Sequence, residues 1–238
     1  HEINDCKNIE ISTLQRTLYK QVSNDYRSLS EEGHKGVMLK ALHDMRMICA
    51  HPLNFQEKAT IKDSPKAEWL INTLETIKQK NEKVIIFTEF RAIQVFLKRL
   101  LLERFGLNVT TVNGDSNTNS RVGLTRQGII DKFQETNGFN VIILSTVAVG
   151  FGVNIQKANH VIHYTRSWNP AKEDQATDRA YRIGQDKEVY VYYPSIAADD
   201  FETFEIKLDK LLSSKRSLAD DMLKPNVELT QELIQSIY

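Results

Sequence analysis

The sequence predicts an α/β fold, a parallel sheet with helices on both faces. Three observations predict it. Short continuous apolar runs, such as VIIFT at 84–88 and VIIL at 141–144, suit strands buried on both faces. Amphipathic stripes of helical period lie between those runs. Strand and helix then alternate through the central part of the chain, the pattern of a doubly wound sheet.

The elements follow in order. Ser12 and Gln15 form a capping box, and Leu14, Leu18 and Val22 continue on one helical face. A second helix is predicted from Val37 to Ala50, with Met38, Leu42, Met45 and Cys49 on one stripe. Pro52 ends it, because proline drives its predecessor away from helical dihedrals. Ser64 is positioned to cap a third helix, with Pro65 at its first position and Leu70, Leu74 and Ile77 facing inward. After the strand at 84–88 comes a helix striped by Ile93, Phe96, Leu97, Leu100 and Leu101. NVTTV at 108–112, a polar loop, a helix carrying Ile129, Ile130 and Phe133, and the strand at 141–144 follow. HVIHY at 160–164, a helix from Ala171 and VYVYY at 189–193 complete the series. A last amphipathic helix, with Phe201, Phe204, Leu208 and Leu211, is expected to pack across the α/β core. All five prolines fall where an element starts or stops. The reading divides the chain into an N-terminal helical segment at 1–60, an α/β lobe at 61–195 and a C-terminal helical brace at 196–238.

Composition bounds the function. The 238 residues carry 31 Lys+Arg and 31 Asp+Glu, so there is no bulk basic field, and nucleic acid would be bound by a local patch. Two cysteines, Cys6 and Cys49, with no paired CxxC spacing, argue against a disulfide framework or structural zinc and fit a reducing compartment. No apolar run approaches the roughly 20 residues needed to span a bilayer, and no signal peptide is visible. The first residue is His1 rather than Met, which points to a piece of something longer.

Two segments carry candidate chemistry. In QATDRAYRIGQ at 175–185, Arg179 and Arg182 are three apart, which on a helix brings their Cβ atoms to about 5–6 Å on one face. Two adjacent guanidiniums suit an anion, since the planar fork donates parallel hydrogen bonds to phosphate. The same spacing also suits Asp178 pairing with Arg182 on a solvated helix. STVAVGFGVNI at 145–155 follows a strand directly. Ser145 and Thr146 can donate hydroxyls to a phosphate there, and Gly150 and Gly152 let backbone approach a ligand. It also reads as an ordinary glycine-containing loop. A dinucleotide fingerprint would need glycine where Ile155 stands. His160 and His163 point to opposite faces of a strand and cannot share a metal. Cys49, His51, Asp199, Asp200 and Glu205 read as structural or solvated. No G-x-x-x-x-G-K-[ST] phosphate loop is present. Phosphate-reaching arginines without a phosphate cradle describe one half of a split active site.

The segments, taken in order, resemble the C-terminal RecA-like lobe of the Swi/Snf-type ATPases of helicase superfamily two. LKALHDMRMICAHP at 39–52 resembles the family's helix ending in Cys-x-His-Pro, and SPKAEWLINTL at 64–74 the segment entering the lobe. KVIIFTEF at 83–90 matches motif IV, ILSTVAVGFGVNI at 143–155 motif V and QATDRAYRIGQ motif VI. VNGDSNTNSR at 112–121 and SWNP at 167–170 match the intervening loops. The chain departs from the family at Val147, Val149 and Tyr181, where arginine, glycine and histidine are usual.

The resemblance implies that Arg179 and Arg182 are arginine fingers reaching ATP across a cleft, both exposed in the isolated lobe. It implies that Gln175 organises that surface, that Gly152 approaches the phosphates and that Asn154 approaches the ribose. Thr88 and Thr146 would hold a nucleic-acid backbone, and Trp168 would lie against a DNA groove. The implied machine is a double-stranded DNA translocase. Its N-terminal RecA-like lobe, outside this chain, would supply the phosphate loop and the carboxylate that holds magnesium. This chain alone would be monomeric and hydrolyse no ATP. A docking module that has lost turnover and an RNA helicase lobe are the rival readings. The absence of a Lys/Arg-rich import run favours a bacterial cytoplasm over a nucleus.

Overall fold

The computed structural model describes residues 2–4, 6, 8–30, 35–114, 125–149, 155–180 and 185–217. Its elements in chain order are β1 (Glu2–Asn4), β2 (Ile9–Glu10), α1 (Thr13–Ser30), α2 (Lys35–Ala50), α3 (Pro65–Gln79), β3 (Lys83–Phe87) and α4 (Arg91–Phe105). These are followed by β4 (Thr111–Val112), α5 (Arg126–Glu135), β5 (Asn140–Leu144), α6 (Thr146–Val149), β6 (His160–His163), α7 (Pro170–Thr177), β7 (Tyr190–Tyr192), β8 (Ile196–Ala197) and α8 (Phe204–Ser217).

Six strands form one sheet in the order β1-β7-β6-β3-β5-β4, and every pairing in it is parallel. The central strand β3 pairs with β5 on one side and β6 on the other, Val84 lying opposite both Val141 and His160. Alternate strand residues feed two cores, as the two-residue period of a strand requires. Val84, Ile86, Val141, Ile143 and Ile162 pack against α3 and α4 through Leu70, Leu74, Leu97 and Leu101. Ile85, Phe87, Ile142, Leu144, Val161 and Val191 pack against the opposite helices through Ile130, Phe133, Ala148 and Ala176. A sheet with helices on both faces is therefore what the apolar runs build.

A third core stands apart. Leu42, Met45, Ile48 and Cys49 of α2 meet Phe204, Leu208 and Leu212 of α8, with Tyr19 of α1 and Ile196 of β8. The capping box forms reciprocally: Gln15 N–H donates to Ser12 Oγ at 3.1 Å, and Ser12 N–H to Gln15 Oε1 at 3.2 Å. Gln15 is fully buried because its amide also reaches the last carbonyls of α2, Ile48 at 2.8 Å and Cys49 at 3.3 Å.

Four expectations are corrected. Residues 2–4 and 9–10, inside the segment expected to be helical, are strands; β1 extends the sheet beside β7, and β2 pairs with β8. Ser64 does not cap α3 with its hydroxyl, which turns instead to Ala50 O at 3.4 Å. Of the run at 108–112, only Thr111 and Val112 are strand. The helix expected to carry both arginines ends at Thr177. The i−3 bonds Arg179 N–H to Ala176 O (3.2 Å) and Ala180 N–H to Thr177 O (3.0 Å) tighten the chain into a turn.

His51 closes α2 with its ring stacked on Phe96, 3.8 Å between centroids and 11° from parallel. Burial drives its pKa down to about 4, against the pull of Asp63. The unfolded chain protonates this group near its ordinary 6.5 and the folded chain does not. Its stabilising effect is thus complete above that value and is lost as pH falls from 6.5 toward 4. His51→Phe keeps the ring stack and removes the titration. It is expected to shift the acid-unfolding midpoint to lower pH, as followed by circular dichroism. Among the described residues, no helix is long and apolar enough to cross a membrane.

Candidate nucleotide and nucleic-acid edge

The carboxyl ends of β3, β5 and β6 lie side by side, because these are adjacent central strands. In open α/β sheets this is the edge where ligands bind. Three short sequences leave it: Thr88–Phe90 after β3, Ser145–Thr146 after β5 and Tyr164–Asn169 after β6.

These sequences hold one another. Thr88 N–H donates to Leu144 O at 3.0 Å and Thr165 N–H to Phe87 O at 3.4 Å, prolonging the ladders past the strand ends. Thr165 Oγ1 donates to Thr88 Oγ1 at 2.9 Å. Glu89 accepts the Thr146 N–H at 2.7 Å and the Thr146 hydroxyl as well. Ser145 Oγ accepts Ala148 N–H at 3.2 Å and so caps α6. Thr88 and Thr146 are only 1% and 7% exposed, and both hydroxyls are engaged within the protein. An anion reaching Thr146 at this edge must displace the Glu89 carboxylate.

After β6, Arg166 is buried among acids. Its Nε and Nη2 donate to the two oxygens of Glu173 at 2.8 and 2.9 Å, and Nη1 donates to Asp209 at 2.5 Å. Its guanidinium lies 4.2 Å over the Tyr193 ring. Burial alone would lower the Arg166 pKa, but Glu173 and Asp209 carry it upward, so the cation is held firmly. The Arg166 carbonyl accepts Arg46 Nη2 of α2 at 2.7 Å. Arg46 is itself sandwiched between Phe90 (4.7 Å) and Trp168 (5.0 Å). Burial pulls Arg46 down to about 10, opposed by the carboxylates of Glu205, Glu89 and Glu173. Trp168 is half-buried and edge-on to Phe204 of α8. It therefore has a packing partner on each side.

The second half of the candidate site hangs from α7. Asn169 caps this helix by accepting Ala171 N–H at 3.0 Å, with Pro170 at its first position. Gln175 is exposed, whereas Arg179 is buried at 6% exposure. The expectation that Arg179 is exposed in the isolated lobe is therefore corrected. The tight turn after α7 folds it inward, and the Arg179 carbonyl accepts Ile155 N–H at 3.3 Å. Gly150, Gly152, Asn154, Tyr181 and Arg182 lie outside the described residues. The residues that flank them do not. Ile155, just after the first stretch, bonds to Arg179, just before the second. Gln185 then ties the same junction: its Nε2 donates to Gln156 O and Ala158 O, both at 2.8 Å, and to Ala180 O at 3.4 Å. Of the residues singled out from sequence, Thr88, Thr146 and Trp168 line the strand-end loops, and Gln175 and Arg179 lie on or after α7.

Sequence reasoning missed Glu89, Arg46, Arg166 and Gln185. Only Gln185 carried a local signal, as the last residue of the Arg-Ile-Gly-Gln signature. Among the described residues, two cavities of about 610 and 570 Å³ lie elsewhere, beside His51 and Phe96 and beside Tyr19 and Phe201.

Comparison with known proteins bears on the family and the fold. Residues 65–184 match the family described as helicase conserved C-terminal domain. The Zorya protein ZorD of Escherichia coli O139:H28 (strain E24377A / ETEC) is 50% identical over 236 residues, covering 96% of this chain and 22% of that protein. The ATP-dependent helicase FUN30 of Saccharomyces cerevisiae is 35% identical over 174 residues, covering 73% of this chain and 14% of that protein. Among solved structures, the Sulfolobus solfataricus SWI2/SNF2 ATPase core domain superposes with a TM-score of 0.76 at 28% identity, covering 97% of this chain and 47% of the other. The chain thus spans only 22% and 14% of the length of these two curated relatives.

Proposed function

This chain belongs to the family of helicase conserved C-terminal domains, of the Swi2/Snf2 type, and from that premise we propose that it is the C-terminal motor lobe of an ATP-driven translocase on double-stranded DNA. The observation that carries the reading is the junction of Ile155, Arg179 and Gln185. It ties Ile155, the residue that follows Asn154 in sequence, to Arg179, and so links the two motifs from which the nucleotide-facing residues are assigned.

In this reading Arg179 and Arg182 act as arginine fingers on the phosphates of ATP, Gln175 helps to organise the nucleotide-facing surface, Gly152 approaches the phosphates and Asn154 the ribose. Phosphoryl transfer depends on positioning and charge stabilisation, which is what paired guanidiniums supply. The partner lobe holds the phosphate loop and magnesium. ATP draws the lobes together and hydrolysis releases them. The strand-end loops meet the DNA backbone, with Thr88 and Thr146 nearest and Trp168 on the groove side. The engaged Thr146 hydroxyl adds a step to this reading: backbone phosphate displaces Glu89 as the lobe engages. Such contacts are largely independent of base sequence.

The test is hydrolysis by this chain alone and joined to its N-terminal lobe, with duplex DNA, duplex RNA or single strands added. No hydrolysis is expected from the chain alone, and duplex DNA is expected to stimulate the joined protein most. DNA affinity should fall steeply with salt, as counterion release requires. Equal stimulation by duplex RNA would reject the DNA reading. A joined protein that binds DNA without hydrolysis would favour a docking lobe, the reading that the burial of Arg179 keeps in play.

A further inference from the structure

The loop from β6 to α7 is held by elements far from it in sequence. Tyr164 OH donates to Ala50 O at 2.9 Å, at the end of α2. Arg46 of α2 reaches the Arg166 carbonyl, and Trp168 packs on Phe204 of α8. At the centre stands Arg166, 3% exposed, with Glu173 of α7 on one side of its guanidinium and Asp209 of α8 on the other. Glu173 lies two residues before Gln175 and six before Arg179.

We propose that Arg166 is a positioning residue for hydrolysis, one that transmits the seating of α8 to α7 and thereby sets where Gln175 and Arg179 stand. This rests on the finger reading given above. A fork-to-carboxylate pair is planar and directional, so it fixes orientation as well as distance. Glu173 has both its oxygens committed to Arg166, and one also accepts Ser167 N–H at 2.8 Å, so α7 is locked to the loop. The remaining arm of the guanidinium goes to Asp209. A shift of α8 therefore moves the guanidinium, and the guanidinium moves the first turn of α7. A buried ion network of this kind adds little net stability compared with apolar packing, which makes geometry its plainest consequence.

The test uses the two-lobed protein with saturating duplex DNA. Asp209→Asn removes one charge and keeps the shape; Arg166→Lys keeps the charge and loses the fork; Asp209→Glu is the conservative rescue. For Asp209→Asn and Arg166→Lys, kcat is expected to fall about tenfold, the scale of a modest misplacement of catalytic groups. KM for ATP should stay within about twofold, because ground-state binding is untouched. The thermal unfolding midpoint should fall too, because each change leaves a buried charge of the network less completely paired. At an assay temperature well below it, the loss of kcat should not follow the drop in midpoint from variant to variant, and Asp209→Glu should recover most of the loss of kcat. If Asp209→Asn does not fold, Arg166→Lys decides on the same criteria. Unchanged kcat in the folded variants overturns the relay. So does a loss of kcat that tracks loss of thermal stability from variant to variant. Arg182→Ala, run alongside, separates the two levels: if it also retains turnover, the finger reading has failed, and if it alone abolishes turnover, only the relay has.

Discussion

Arg182→Ala in the two-lobed protein is expected to lower kcat by about 10³–10⁵-fold, the usual contribution of an arginine finger. Thermal unfolding should be unchanged. Steady-state hydrolysis at saturating DNA, with a melting curve on the same preparation, measures both. Arg179→Ala should lose turnover as well, but it should also lose stability. Arg179 is buried, so truncating its side chain removes packed atoms from the interior. The two arginines are thus expected to separate: one variant inactive and intact, the other inactive and loosened. Normal turnover with Arg182→Ala would remove the finger assignment.

The largest effect on folding is expected at Lys66 and Glu205. Lys66 is fully buried, and its ammonium meets Glu205 Oε1 and the Tyr164 carbonyl, the latter at 3.3 Å. The other Glu205 oxygen accepts Ile196 N–H at 2.8 Å and so holds β8. Glu205→Gln leaves a buried ammonium without its counter-charge, a change that typically costs about 3–5 kcal/mol. Replacing both partners, Lys66→Met with Glu205→Leu, should be far milder despite being the larger change. Urea unfolding midpoints for the single and double variants check this, and equal losses from both would contradict it.

How much of this was legible in the sequence depends on the range of the forces involved. The apolar runs at 84–88 and 141–144 announced buried strands, since a strand covered on both faces has no polar side. The Ser12–Gln15 box announced its helix, since both partners lie within one turn. Strand β1 gave no such sign. Glu2, Ile3 and Asn4 carry no apolar run, Ile3 is 57% exposed, and only pairing with Tyr190–Tyr192 makes them a strand. The end of α7 at Thr177 was hidden because DRAYR has good helical propensity, and the tertiary bond from Ile155 prevails over it. The candidate site divides in the same way. The residues of motifs V and VI could be named from sequence. Their supports could not, because Glu89 and Thr146 are 57 positions apart, Arg166 and Asp209 are 43 apart, and Lys66 and Glu205 are 139 apart. No local pattern encodes a partner at that distance.

The three carbonyls gathered by Gln185 bear on how such chains are recognised. That glutamine works as a rivet in the scaffold. A degenerate cousin that had shed its guanidiniums would still need the rivet to stay folded. The final letter of the signature therefore certifies the architecture, and a pseudoenzyme would pass that inspection as readily as a working motor.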